Sequence, residues 1–129
     1  MSWTNEYIGI PYKLHGRNRD ALDCWGMVRI VYGDRLGIAL PSLAEQYENP
    51  VDAEGFAHAH ELASPEWEAV DTPQELDVFW CRIAGMECHT GIALGDGMML
   101  HAMQGNDSHI INLKSPAWQR RVQTCYRLK

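Results

Sequence analysis

Residues 88–103 read Cys88-His89-Thr90-Gly91-Ile92-Ala93-Leu94-Gly95-Asp96-Gly97-Met98-Met99-Leu100-His101-Ala102-Met103. Two runs of strand length and strand composition flank a Gly-Asp-Gly turn, the pattern of a β-hairpin. A three-residue loop with Gly97 in the left-handed position would set Leu94 opposite Met98 and Gly91 opposite His101. Side chains alternate along a strand, so His89 and Gly91 share a face, and His89 meets His101 as a diagonal neighbour. A two-residue loop would throw the two histidines onto opposite faces. Gly91 is expected to leave room for the His101 imidazole, and Cys88 to point away from His89.

Strand patterns surround this hairpin at Leu76 to Ile83, His109 to Leu113 and Arg121 to Leu128, separated by Gly85, Gly105-Asn106-Asp107 and Ser115-Pro116. The first half is different. Ser2 or Thr4 would cap a short helix through Tyr7, stopped by Pro11, and Arg17 to Asp20 has the polar composition of a loop. Asp23 stands where an N-cap belongs, ahead of an apolar run from Cys24 to Tyr32, with Gly33 or Gly37 as its stop. Because this helix is apolar on most faces, it should lie at the centre of the fold. Pro41 to Pro50 reads as a connector with one helical turn, and Asp52 to Leu62 as a short helix whose His58 and His60 face solvent. A helical half followed by a meander of about five strands predicts a single α+β domain over residues 1–129 with an antiparallel sheet.

The 129 residues are 46% hydrophobic and 22% charged, a globular composition that excludes disorder as the main state. No apolar run approaches the roughly 20 residues of a membrane-spanning helix. Eleven Lys and Arg against 17 Asp and Glu leave a net charge of −6, which argues against nucleic acid and anionic lipid as partners. The start, Met1-Ser2-Trp3-Thr4-Asn5-Glu6, has neither the basic nor the apolar part of a secretory signal, so synthesis in a reducing cytoplasm and free thiols are expected. Cys24, Cys81, Cys88 and Cys125 include no C-x-x-C pair, and no metal or other cofactor is expected.

The strongest chemical signal is Asp23-Cys24-Trp25-Gly26. A thiol in the first turn of a helix feels the positive end of the helix dipole, which favours thiolate. It needs a proton acceptor. His89 would supply it, with His101 orienting the His89 ring, a nucleophile–base–orienter set.

These residues resemble the NlpC-type (NlpC/p-60) cell-wall peptidases, a compact group of papain-like cysteine peptidases. The likeness is carried by Gly9-Ile10-Pro11-Tyr12, by Asp23-Cys24-Trp25-Gly26, by His89-Thr90-Gly91-Ile92 with His101, and by the closing Cys125-Tyr126-Arg127. Each motif alone is weak; four in order at the right spacing are specific and cover nearly the whole chain. Trp25 replaces the family's usual serine, and Leu76-Asp77 its Gly-Asp. The short form looks most like versions encoded with phage tails.

The resemblance implies hydrolysis of peptidoglycan stem peptides at the bond between γ-D-glutamate and a diamino acid. Cys24 would attack, His89 would carry the proton, and the Cys24 N–H with the Tyr12 hydroxyl would face the oxyanion, supported by Asp23. Arg17, Arg19, Asp20 and Trp25 are the expected substrate contacts. The setting implied is a virion component at the tail tip, made in the host cytoplasm, acting on wall or periplasm, with tail-tip proteins as partners. Two alternatives stand beside it: a tail-tip structural component with little catalysis, and an amidase or acyltransferase. A cleft walled by apolar side chains without cations to grip a carboxylate would favour the amidase or acyltransferase.

Overall fold

The computed structural model describes residues 3–83 and 86–129; Ser2 and Gly85, the expected cap and separator, lie outside them. A 3₁₀ turn at Trp3–Tyr7 leads into a two-stranded ribbon, β1 (Arg17–Asn18) and β2 (Ala21–Leu22), where sequence alone predicts a loop. Helix α1 (Cys24–Leu36) follows, then a 3₁₀ turn at Ala44–Gln46 and helix α2 (Ala53–Ala63). The rest is sheet: β3 (Trp67–Val70), β4 (Val78–Ile83), β5 (Met86–Gly95), β6 (Met98–His101), β7 (His109–Asn112) and β8 (Val122–Leu128).

The architecture is α+β, and the sheet is antiparallel with six strands in the order β3-β8-β4-β5-β6-β7. Only β4 to β7 form the expected meander. β8 returns across the sheet to pair with β4, and β3, absent from the sequence reading, closes that side. Among the described residues no helix is long and apolar enough to cross a membrane.

Asp23 caps α1 as its sequence predicts, its carboxylate accepting from the Gly26 N–H at 2.8 Å, and Gly37 ends the helix in the left-handed conformation. The glycine of the Asp-Cys-x-Gly motif has a steric cause: a Cβ at Gly26 would collide with the Gly16 carbonyl oxygen. The ribbon therefore presses on the first turn of α1, and a parallel bridge joins Tyr12 to Leu22 just before that turn. Met27, Val28 and Val31 of α1 are fully buried against Val78, Ile92 and Leu100 of the sheet. The opposite sheet face carries Phe79, Cys81, Ala93, Met99 and Cys125, covered by Trp118 from the loop before β8.

The β5–β6 hairpin keeps the predicted register by a different turn. Two residues, Asp96 and Gly97, both with positive φ, make the turn, and Gly95 pairs with Met98. A bulge between Ala93 and Gly95 supplies the missing residue, so Ile92 still faces Leu100 and Ala93 faces Met99. The space at Gly91 serves Met99, not His101: a Cβ there would overlap the Met99 thioether. Leu76, which replaces the family's glycine, takes φ 78°, a conformation uncommon for a branched side chain. Arg127 holds the neighbouring Asp77 with two bonds of 3.0 and 2.9 Å.

Candidate active site

Cys24 opens α1 at its N-terminus, buried, and lines a cavity of about 100 Å³ together with Tyr12, Cys88, His89, Met103 and Gln104. A second bulge brings the strand wall to it. Cys81 pairs with His89 but Arg82 pairs with Glu87, leaving Cys88 as the extra residue of β5. The bulge breaks strict alternation, so Cys88 does not turn away as expected and both Cys88 and His89 reach the cavity. A larger cavity, about 280 Å³ beside Trp118, has neither thiol nor imidazole in its wall.

His89 and His101 meet as the register requires, His89 Nε2 lying 2.7 Å from His101 Nδ1. That bond leaves Nδ1 as the ring nitrogen of His89 available to the cavity. Burial pushes both imidazoles well below their ordinary value, and the nearby Arg121 and His109 act in the same direction. Cys24 departs from its sequence expectation. Burial, with the Asp23 carboxylate beside it, pushes the thiol up to about 12, outweighing any pull of the helix dipole toward thiolate. Thr90 lies against the sulfur and acts the other way. Among the described residues its buried hydroxyl has no hydrogen-bond partner, which leaves it placed to close on sulfur as charge develops. The resting site is thus a neutral thiol and a neutral imidazole.

These shifts predict a stability profile. Below about pH 6.5 the unfolded chain protonates imidazoles that the folded chain keeps neutral, so stability falls as pH falls. Cys24 and Cys125 are both raised to about 12, so above about pH 9 the unfolded chain ionises first and stability falls again. The melting temperature should therefore peak between about pH 6.5 and 9. Replacing His89 and His101 together by glutamine should flatten the acid side; an unchanged slope there would refute the assignment.

The remaining expected residues are dispersed. Tyr12 lines the cavity, and burial keeps its phenol protonated far above the ordinary range, so it remains a donor. Asp23 is buried and fully engaged: it accepts from Gly26 N–H, His15 N–H, Arg17 and Tyr47 OH. Arg17 is turned inward, bonded to Asp23 at 2.6 Å, to the Ser42 carbonyl at 2.8 Å and to Tyr47 at 2.7 Å, so it braces the cap instead of offering a free cation. Arg19 pairs with Asp34 and lies over the Tyr7 ring. Asp34 is in the last turn of α1, about 15 Å along the helix from Cys24, which places Arg19 away from the cavity. Asp20 sits exposed in the ribbon turn, its N–H on Asn18. Trp25 belongs to the core, not to a substrate groove: it is buried, donates to the Pro41 carbonyl at 2.9 Å and meets Trp67 edge to face. His60, expected to face solvent, is half-buried, packing edge-on against Trp80 and Tyr126. Among the described residues no group of three His, Cys, Asp or Glu has metal-binding geometry.

Sequence reasoning passed over His109. It pairs directly across from His101 in the β6–β7 hairpin, with its Nε2 3.3 Å from His101 Nε2. The signal was present: the turn centred on Gly105 is flanked by strand patterns that mirror His101 onto His109.

Comparison with known proteins fits this geometry. The chain is 21% identical over 123 residues to the murein DD-endopeptidase MepS/murein LD-carboxypeptidase of Escherichia coli K12, covering 95% of this chain and 58% of that protein. It is 27% identical over 118 residues to the gamma-DL-glutamyl hydrolase of Bacillus subtilis 168, covering 91% of this chain and 26% of that one. It thus spans little more than half of the first relative and about a quarter of the second. The crystal structure of the NlpC/p60 domain of the peptidoglycan hydrolase SagA superposes with a TM-score of 0.66 at 22% identity, covering 97% of this chain and 92% of that domain. The NlpC/P60 family model matches residues 9–127, nearly the full length, and the chain belongs to that family.

Proposed function

We propose that this domain is a cysteine endopeptidase that cuts peptidoglycan stem peptides at the γ-D-glutamyl–diamino acid bond. The observation that carries the reading is the cavity in which Cys24, at the start of α1, shares a wall with His89, whose far nitrogen is held by His101. The names of the two relatives, a murein peptidase and a glutamyl hydrolase, support the substrate class.

The chemistry follows from neutral partners. As the Cys24 sulfur attacks the carbonyl carbon, His89 Nδ1 takes the thiol proton, and the imidazolium is stabilised through Nε2–H on His101. The oxyanion is met by the Cys24 N–H and the Tyr12 hydroxyl. His89 returns the proton to the leaving amine, and a thioester remains. Water, deprotonated by His89, then releases the acid and regenerates the thiol.

One observation favours an amidase or acyltransferase instead. The cavity wall contains Pro50, Val51, Phe56, Ile83 and Met103 and, among the described residues, carries no lysine or arginine to hold a stem-peptide carboxylate. Incubation with a stem tetrapeptide and with a neutral amide of similar size, read by mass spectrometry, separates the two. Cleavage after D-glutamate in the tetrapeptide supports the peptidase; turnover of the neutral amide alone supports the alternative. The finer setting, a hydrolase carried at a phage tail tip with tail-tip proteins as partners, rests on the resemblance of the sequence motifs alone.

A further inference from the structure

His89 and His101 do not end the chain of imidazoles. His101 Nε2 continues to His109 Nε2 at 3.3 Å, and His109 Nδ1 lies 2.8 Å from the Asp107 backbone carbonyl. A carbonyl only accepts, so His109 Nδ1 must carry a proton. In a neutral His109, Nε2 is then an acceptor and must receive its hydrogen from His101 Nε2. That choice leaves His101 Nδ1 bare, to accept from His89 Nε2–H at 2.7 Å. His89 is therefore the tautomer with a lone pair on Nδ1, the nitrogen left for the cavity. Each direction in the relay is forced by the one before it, and all trace back to a single backbone carbonyl.

We propose that His109 is a positioning residue: it sets the direction of the three-histidine relay and so keeps His89 in the form that can accept the Cys24 proton. The same logic makes the relay reversible. Protonated His109 donates from both nitrogens, so His101 must accept at Nε2 and donate from Nδ1. His89 must then accept at Nε2 and hold its proton on Nδ1, where it can no longer act as a base. His109 is half-exposed at the start of β7, the edge strand, while His89 and His101 are buried, so His109 is the member of the relay that solvent reaches. The titratable and charged groups around it are His101 across the strand pair, Asp107 in the turn, and Arg121, whose charge acts on His89 and His101. The nitrogens face one another in pairs and do not converge on a point about 2.0–2.1 Å from each, as zinc would require.

The mechanistic role rests on the peptidase reading, but the relay itself does not, and ¹⁵N NMR of histidine-labelled protein reads it without substrate. Near neutral pH the wild type should show His89 and His101 protonated at Nε2 and His109 at Nδ1. His109→Phe removes the acceptor and should mix or reverse the His89 tautomer, lowering kcat about 10- to 100-fold with little change in KM. His109→Gln offers an amide oxygen to His101 and should restore the tautomer and most of kcat. A wild-type His89 protonated at Nδ1, or a His89 tautomer unchanged in folded His109→Phe, overturns the proposal. Correct tautomers in a protein that cuts no stem peptide uphold the relay and count against the peptidase reading alone.

Discussion

Replacing Cys24 by alanine is expected to lower stem-peptide turnover by about 10⁴-fold or more while leaving the fold intact. The size follows from the absence of any substitute. Cys88 shares the cavity, but it lies on the strand wall, away from the helix N-terminus whose N–H groups would meet the oxyanion. The fold should survive because the change removes one buried sulfur, a loss of about 1 kcal/mol. Cys24→Ser is the sharper comparison. It restores a hydroxyl at the same place beside His89 and Thr90, yet an alcohol is a poorer nucleophile with a neutral base, so turnover should stay near the alanine level. Activity within tenfold of wild type in either variant, with purity checked by mass, would rule out Cys24 as the nucleophile. The same proteins test the raised thiol. Alkylation of wild-type Cys24 by iodoacetamide should be slow at pH 7 and accelerate steadily with rising pH, because a thiol pushed up to about 12 holds little thiolate near neutrality.

What was legible in the sequence divides by distance along the chain. The α1 start was readable because cap, cysteine and glycine fall within four residues, and two of them answer a local need: Asp23 an orphan N–H, Gly26 a carbonyl that comes too close. The meeting of His89 with His101 was readable because strand alternation leaves two choices, and the Gly-Asp-Gly turn pointed to the right one. The turn reached that register by another route, two residues and a bulge, which local composition does not distinguish from a three-residue loop. Partners that lie far apart in sequence were not legible. Arg17 looked like a free cation until Ser42 and Tyr47, 25 and 30 residues away, were seen to hold it. Trp67–Val70 is too short for its pattern to register, and its place as a strand comes from β8, which crosses back from the end of the chain. The thiolate expectation failed because the helix dipole can be read from a cap, whereas burial depends on everything packed over it.

The second large effect concerns stability, and it falls on Asp23. Asp23→Ala should cost about 3–5 kcal/mol, a large part of the roughly 5–15 kcal/mol that holds a domain of this size folded. Four donors converge on that carboxylate: two backbone N–H groups, the Tyr47 hydroxyl and the Arg17 guanidinium. Its side chain is 1% exposed and that of Arg17 is 14% exposed, so removing the anion strands a cation with little water to replace it. The loss comes less from the pair's own attraction than from the desolvated charge left behind, and that distinction can be measured. If it holds, Arg17→Met made together with Asp23→Ala should cost less than the sum of the two single changes, by about 1 kcal/mol or more in urea unfolding. Asp23→Asn should fall between wild type and alanine, keeping an oxygen for the Gly26 N–H but not the charge for Arg17. A loss below about 1 kcal/mol for Asp23→Ala, or simple additivity with Arg17→Met, would show that the network is a surface-like pairing of little consequence. The functional consequence is also separable: Asp23 places the first turn of α1, so Asp23→Asn should lower kcat through the position of Cys24 and leave the tautomers of the three histidines unchanged.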